Sequence, residues 1–162
     1  MRAGTRPRIR VLYDYRCGYC GVRESDAGAR LTVDHFRPRS DGGEDDIDNL
    51  VYCCHGCNEF KGDYWHTDES QRLLHPVRED IGAHLAEAEA GRIRALTARG
   101  AVHIDVLRLN RPELIAYRLQ RQAEDALIRD HEQTLQLLET LKQDNDELRG
   151  RIADRDSSRR QG

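Results

Sequence analysis

Cys54-His55-Gly56-Cys57-Asn58 closes a stretch that opens at Cys17-Gly18-Tyr19-Cys20, and the two C-x-x-C pairs decide how this chain folds. A two-residue spacer lets both thiolates of a pair face one ion. Two such pairs complete a tetrahedron of the kind structural zinc takes, with Zn–S near 2.3 Å. The glycines inside the pairs, Gly18 and Gly56, suit the tight turn of each knuckle. Thioredoxin-type redox chemistry needs one C-x-x-C at a helix start, not two. Four thiolates also fill a tetrahedron and leave no position for water, so Cys17, Cys20, Cys54 and Cys57 are expected to hold a Zn²⁺ that stabilises the fold and does no chemistry. Cys53 and His55 stand beside the second pair as alternative ligands, with Cys53 reading as a buried strand residue.

Between the pairs, Arg30-Leu31-Thr32-Val33-Asp34-His35 is short and β-prone. Pro38, Ser40 and Asp41-Gly42-Gly43 mark a loop. Asn49-Leu50-Val51-Tyr52-Cys53 reads as a second strand, and Asn58 to Tyr64 as a helix. The order is strand, loop, strand, helix. Neighbouring residues on a regular strand face opposite ways, so Asp34 and His35 can serve one site only where the strand ends or twists.

Taken in order, Cys17-x-x-Cys20, Asp34-His35, Gly42-Gly43, Asn49-Leu50 and Cys54-x-x-Cys57-Asn58-x-x-Lys61 resemble the HNH endonuclease superfamily of ββα-metal nucleases, in its small bacterial stand-alone type. The resemblance covers about residues 15–65. It implies a DNA endonuclease, with RNA as an alternative substrate, in which His35 is the general base that takes a proton from water, as an imidazole titrating near neutrality can. It assigns Asp34 and Asn58 to one Mg²⁺ or Mn²⁺, which would bridge the scissile phosphate and steady the departing 3′ oxygen. Asn49 would pin the loop that aims His35. Asn58 departs from the family pattern, standing where many members have histidine, but it remains an oxygen ligand suited to Mg²⁺. Arg37 and Lys61 are candidate phosphate contacts.

The rest of the chain is polar. Of 162 residues, 38% are hydrophobic and 34% charged, which argues for a small metal-held module rather than one large core. The expected class is α+β: a zinc-stabilised ββα module over 1–70, a mixed supporting extension over 71–110, a long helix over 111–154 and a disordered tail over 155–162. In the extension, Glu79 to Glu89 patterns as an amphipathic helix stopped by Gly91, Arg92 to Thr97 as a strand, and Ala101 to Leu109 fits either state. Leu74-His75-Pro76 and Leu107-Arg108-Leu109-Asn110-Arg111-Pro112 resemble an extension of the same small family members, whose implied role is to buttress the fold. Asn110 with Glu113 forms a capping-box pattern, and Pro112 suits a first turn.

Leu138, Leu141, Asn145, Leu148 and Ile152 step by three and four, the seam of a short coiled coil with Asn145 at an a position. Backward from there, Thr134, His131 and Glu124 make the apolar repeat short. The seam suits a homodimer or a hetero-partner, such as a targeting or ATPase subunit of a bacterial defence system. A net charge of −3 is unusual for a nucleic-acid binder, although Arg2, Arg6, Arg8, Arg10 and Arg16 cluster at the start and Arg37 and Arg39 lie beside the expected site. The alternative class is a non-catalytic zinc module that binds nucleic acid or protein, which would need the cysteines but not Asp34, His35 or Asn58. No apolar run is long enough to span a membrane and no leader is evident, so a cytoplasmic protein is expected, where clustered cysteines are more often metal ligands than disulfides.

Overall fold

The computed structural model describes residues 4–160, with side chains described as far as Arg151. The chain divides into two compact units, Met1–Leu119 and Gln120–Gly162. The first is α+β. It runs α1 (Thr5–Leu12), β1 (Thr32–His35), β2 (Leu50–Cys53), α2 (His55–Lys61), β3 (Leu85–Glu87), β4 (Ile93–Ala95), α3 (Ala98–Val106), and then the opening turns of α4 (Pro112–Arg160).

β1 and β2 pair antiparallel, with Asp34 opposite Val51 and His35 opposite Leu50. Every residue of β2 is buried, as expected of a short, continuously apolar strand covered on both faces. α1 lies over β2 and buries Ile9 completely. Tyr13, just beyond it, donates its hydroxyl to the Leu50 carbonyl at 3.4 Å. Much of the basic N-terminal cluster is therefore structural rather than a free cationic patch. Arg6 donates to the Leu31 carbonyl at 2.7 Å, and Arg10 makes two 2.7 Å bonds to Glu24. Arg2 lies outside the described residues.

The glycines act differently from their expected role. The positive-φ turn after the first knuckle falls on Gly21 at +75°, not on Gly18. Gly18 is needed for space, since a Cβ there would stand 2.5 Å from the Tyr13 ring. α2 starts at His55, earlier than the expected Asn58, because Cys54 caps it by accepting from the Cys57 amide at 3.4 Å. Asn58 consequently sits in the middle of this helix, and Gly62 ends it.

The helix expected over Glu79 to Glu89 does not form. Asp80 caps a single 3₁₀ turn, Ile81–Ala83, and the chain then enters a hairpin of β3 and β4. Gly91 (φ +70°) turns this hairpin rather than stopping a helix. Glu79 is drawn away by Arg99 and by the His75 amide. The strand expected over Arg92 to Thr97 is present as β4, and the ambiguous segment resolves as helix α3, capped by Thr97 accepting from Gly100 at 3.0 Å. Asn110 does not cap α4. Its carboxamide is spent on both backbone groups of Ile93, at 2.8 and 2.7 Å, and the Arg111 carbonyl accepts the first helical bonds instead.

Leu73, Leu107, Leu109 and Leu114 enter the same hydrophobic cluster as Ile9, Leu50 and Tyr52, so the extension and the module share one core. His75 donates from Nε2 to the Asp48 carbonyl at 3.0 Å and Arg78 donates to it at 2.8 Å, which ties the extension to the loop next to Asn49. The second unit is helical throughout its described length, and its helix continues to Arg160, past the end expected near 154. Residues 161–162 of the expected tail lie outside the described residues. Among the described residues, no helix is long and apolar enough to cross a membrane.

Candidate active site and metal centre

The sulfurs of Cys17, Cys20, Cys54 and Cys57 all lie within 4.8 Å of one another. This is the expected set. Cys53 is fully buried in β2, while His55 is exposed and faces Glu59 at 3.3 Å, so neither joins it. A divalent cation bound there would hold the ligating thiols deprotonated. A four-thiolate donor set at this separation fits zinc and leaves it no open position. One partner was not legible in the sequence. Arg111 Nη2 points at Cys57 Sγ (3.6 Å) and Cys54 Sγ (3.8 Å), placing a cation beside the cluster's negative charge.

The first knuckle also reaches the expected active site. Tyr19, inside the Cys17–Cys20 pair, donates its buried hydroxyl to Asp34 Oδ2 at 2.7 Å. Lys61 Nζ lies 3.0 Å from the same oxygen and 3.2 Å from Oδ1, and donates to the His35 carbonyl at 2.8 Å. Lys61 was expected at the surface as a phosphate contact. Its side chain is instead 0% exposed. Burial pushes the Asp34 carboxyl up from its ordinary range, opposed by Lys61 and Tyr19.

β1 ends at His35, so the alternation of the strand no longer constrains the ring. His35 Nε2 lies 2.8 Å from Asp45 Oδ1, and Arg39 Nε approaches the same nitrogen at 3.3 Å while its Nη2 bonds Asp45. Arg39 was named from sequence only as a basic residue beside the expected site, and Asp45 was not singled out. The available signal was the acidic run Glu44-Asp45-Asp46 after the glycines.

Asn58 brings its carboxamide to the same cleft from α2. The Cys53 thiol approaches Asn58 Oδ1 at 3.9 Å, and burial pushes that thiol up, keeping it a protonated donor. Asp34, His35 and Asn58 line one polar cleft of about 320 Å³ with Arg39 and Asp63. Hard oxygen donors of this kind suit Mg²⁺ or Mn²⁺, which bind through one or two protein ligands and keep most of their water.

Asn49 lies behind this cleft. Its Oδ1 accepts from the Arg37 amide at 2.9 Å, and its Nδ2 donates to the carbonyls of Arg37 and Glu44, both at 3.0 Å. One carboxamide thus spans the neck of the loop that carries Arg39 and Asp45. Gly43 permits this closure, because a Cβ there would fall 1.8 Å from the Arg37 carbonyl oxygen. Arg37 is exposed, held by the Asp41 carbonyl at 2.7 Å, and lines a neighbouring groove rather than the His35 cleft.

The family model for HNH endonuclease matches residues 17–63. Those residues, which hold both knuckles, β1, β2 and α2, form an HNH domain, a nuclease-type module. The chain is also similar to Septu protein PtuA of Bacillus mycoides (strain KBAB4), with 27% identity over 142 residues, covering 69% of this chain and 20% of that protein. The chain therefore spans about one fifth of the length of the curated relative it matches. No solved structure matches it.

Proposed function

We propose that the chain is a divalent-metal-dependent endonuclease that hydrolyses phosphodiester bonds of DNA. The observation that carries this reading is the convergence of Asp34, His35 and Asn58 on one polar cleft within an HNH domain. His35 is the general base. Asp45 faces the ring at Nε2 and offsets the positive charge once the ring has taken a proton from water. Arg39 lies on the same edge and faces incoming phosphate. Asp34 and Asn58 would hold one Mg²⁺ or Mn²⁺, which would supply charge stabilisation at the scissile phosphate and leaving oxygen. Asn49 keeps the His35 loop closed, and the four-cysteine zinc fixes the frame.

The test is incubation of supercoiled plasmid with zinc-loaded protein and Mg²⁺ or Mn²⁺, beside His35→Ala and a reaction without added divalent ion. Nicking by the wild type alone supports the reading. Equal nicking by His35→Ala overturns it. Bound but intact DNA across both metals would favour the non-catalytic zinc module, and a parallel RNA arm decides the substrate.

The biological setting we propose is bacterial defence in the cytoplasm, with the terminal helix joining the nuclease unit to a second copy of the chain or to a different subunit. The similarity to Septu protein PtuA supports that setting.

A further inference from the structure

A second groove, of about 440 Å³, lies on the far side of the loop after β1, and the nuclease reading gives it no task. Two segments run from the His35 cleft into it. Pro38, Arg39 and Ser40 line the cleft, whereas Phe36 and Arg37 line the groove. Gly62 and Asp63 line the cleft, and Trp65, two residues on, lines the groove. Consecutive Cα atoms are only about 3.8 Å apart, so the two depressions are neighbours along both segments.

Trp65 is the chain's single tryptophan and is half-buried. Phe36 meets it edge-on with centroids 5.9 Å apart. The guanidinium carbons of Arg72 and Arg37 lie over the indole, 4.9 and 5.6 Å from its centroid. What holds these cations decides their use. Arg37 is anchored by the Asp41 carbonyl at 2.7 Å, and Arg72 by the carbonyls of His66 (2.8 Å) and Thr67 (2.6 Å), with Glu69 reaching it only through an exposed contact at 3.2 Å. Arg78, at the rim, donates to the Asp48 carbonyl at 2.8 Å, with the Asp48 carboxylate more distant at 3.5 Å. Backbone carbonyls orient a guanidinium without cancelling its charge. Arg99 is the contrast, since Glu79 grips and neutralises it. The groove thus concentrates positive charge around an aromatic layer in a chain whose net charge is −3.

Resting on the nuclease reading, we propose that the Trp65 groove is a second substrate subsite, holding a nucleotide of the unpaired strand that flanks the scissile phosphate. The phosphates meet Arg37, Arg72 and Arg78, and the base packs on the layer formed by the indole and its guanidinia. Such a layer accepts any unstacked base and cannot reach one inside a duplex. Local charge at the groove, rather than net charge, draws the substrate.

Because Trp65 is the sole tryptophan, indole fluorescence reads this groove directly. Zinc-loaded full-length protein, without added Mg²⁺ so that nothing is cut, is titrated with a twelve-residue oligothymidylate, its oligouridylate counterpart, a blunt duplex of equal length, and inorganic phosphate. The expected result is saturable quenching by a single strand, at least tenfold tighter than by duplex and weakened by salt, with no comparable quenching by phosphate alone. The oligouridylate arm shows which sugar is preferred. Arg72→Gln and, on the exposed loop, Arg37→Gln each weaken quenching about tenfold, whereas Arg94→Gln on the exposed side of β4 does not. Labelled oligonucleotide that binds by anisotropy without quenching Trp65 overturns the proposal. So does equal affinity for duplex, or the same quenching by free phosphate. Quenching that persists in a protein unable to nick plasmid rejects the nuclease reading and keeps the subsite, while nicking without quenching does the reverse.

Discussion

Lys61 Nζ lies 3.0 Å from Asp34 Oδ2, and neither side chain is more than 10% exposed. The pair joins α2 to β1 at Asp34, itself a proposed metal ligand, and the same ammonium holds the His35 carbonyl. Removing one member of a buried pair leaves the other charge uncompensated, at a cost of about 3–5 kcal/mol. Lys61→Met should therefore lower the denaturation midpoint sharply and abolish nicking. Asp34→Asn/Lys61→Met, which removes both charges, should recover much of the stability and none of the nicking. Urea titrations of the three proteins check this. A Lys61→Met protein as stable as wild type would show the pair to be dispensable.

Asn49 bears on aim rather than on chemistry. Three hydrogen bonds from one carboxamide close the loop that presents Asp45 to His35. Asn49→Ala leaves two carbonyls and one amide without that partner, each such loss costing about 1–3 kcal/mol where water cannot substitute. A shift of about 1 Å in a reacting group can cost on the order of 10²-fold in rate. We expect plasmid nicking to fall by about that factor while zinc content is unchanged. Asn49→Asp, which keeps the acceptor for the Arg37 amide but loses both donations, should fall between.

At the zinc site the informative residue is Arg111, whose Nη2 faces two of the four sulfurs. Groups that hydrogen-bond to metal ligands alter affinity by about 10–100-fold. Purified protein should hold about one zinc per chain, the number a single tetrahedral site takes. Arg111→Leu should lose that zinc to a chromogenic chelator at least tenfold faster. Equal release rates would show that the side chain serves its contacts with the Leu107 and Arg108 carbonyls and Phe60 rather than the zinc.

These partners mark where sequence reading ran out. The four cysteines and the strand pair follow from short-range spacing, which one chain displays openly, whereas the roles expected of Asp34, His35, Asn49 and Asn58 come from the family resemblance. Tyr19, Asp45 and Arg111 owe their roles to approach across the fold, and an isolated tyrosine or arginine carries no pattern that announces it; Lys61 stands in the motif, but its burial against Asp34 does not show there. The missed hairpin at Leu85–Glu87 and Ile93–Ala95 has a different cause. Its apolar spacing fits a helix, but the Glu79–Arg99 and Glu79–His75 bonds draw the start of that segment elsewhere. The capping pattern at Asn110 misled in the same way, since the Ile93 backbone claimed the side chain first.

His103 should set part of the pH dependence of stability. It is buried, its Nδ1 accepts from the Leu74 amide at 3.0 Å, and burial lowers its pKa from 6.5 to about 4. The folded chain therefore keeps this ring neutral where the unfolded chain would protonate it. Its contribution is present above about pH 6.5 and is lost as pH falls toward 4, by about 3 kcal/mol at most. Burial lowers His75 as well, with the same sign. His103→Asn keeps an acceptor for the Leu74 amide and removes the titration. Its denaturation midpoint should fall less than that of wild type between pH 7 and 5. Because thiolate protonation weakens both proteins alike, the difference between the two slopes is the quantity to read.

The terminal helix supplies the last test. Leu138, Leu141 and Leu148 are each more than half exposed in the single chain. The three- and four-residue steps that relate them extend back through Thr134 and His131 to Leu127, which is also exposed. An apolar stripe of this kind is stabilised by covering it, and a buried Asn145 would favour two strands in register over larger assemblies. We expect the full chain to sediment as a dimer at micromolar concentration. Leu138→Glu/Leu148→Glu, changed at exposed positions that leave the first unit untouched, should sediment as a monomer with the same zinc content. Single-strand nicks should persist in the monomer, while linear plasmid, which needs two cuts close together, should appear much later than with wild type. A wild-type chain that is monomeric throughout would assign the stripe to a different subunit, and co-purification with that subunit would then be lost in the double variant.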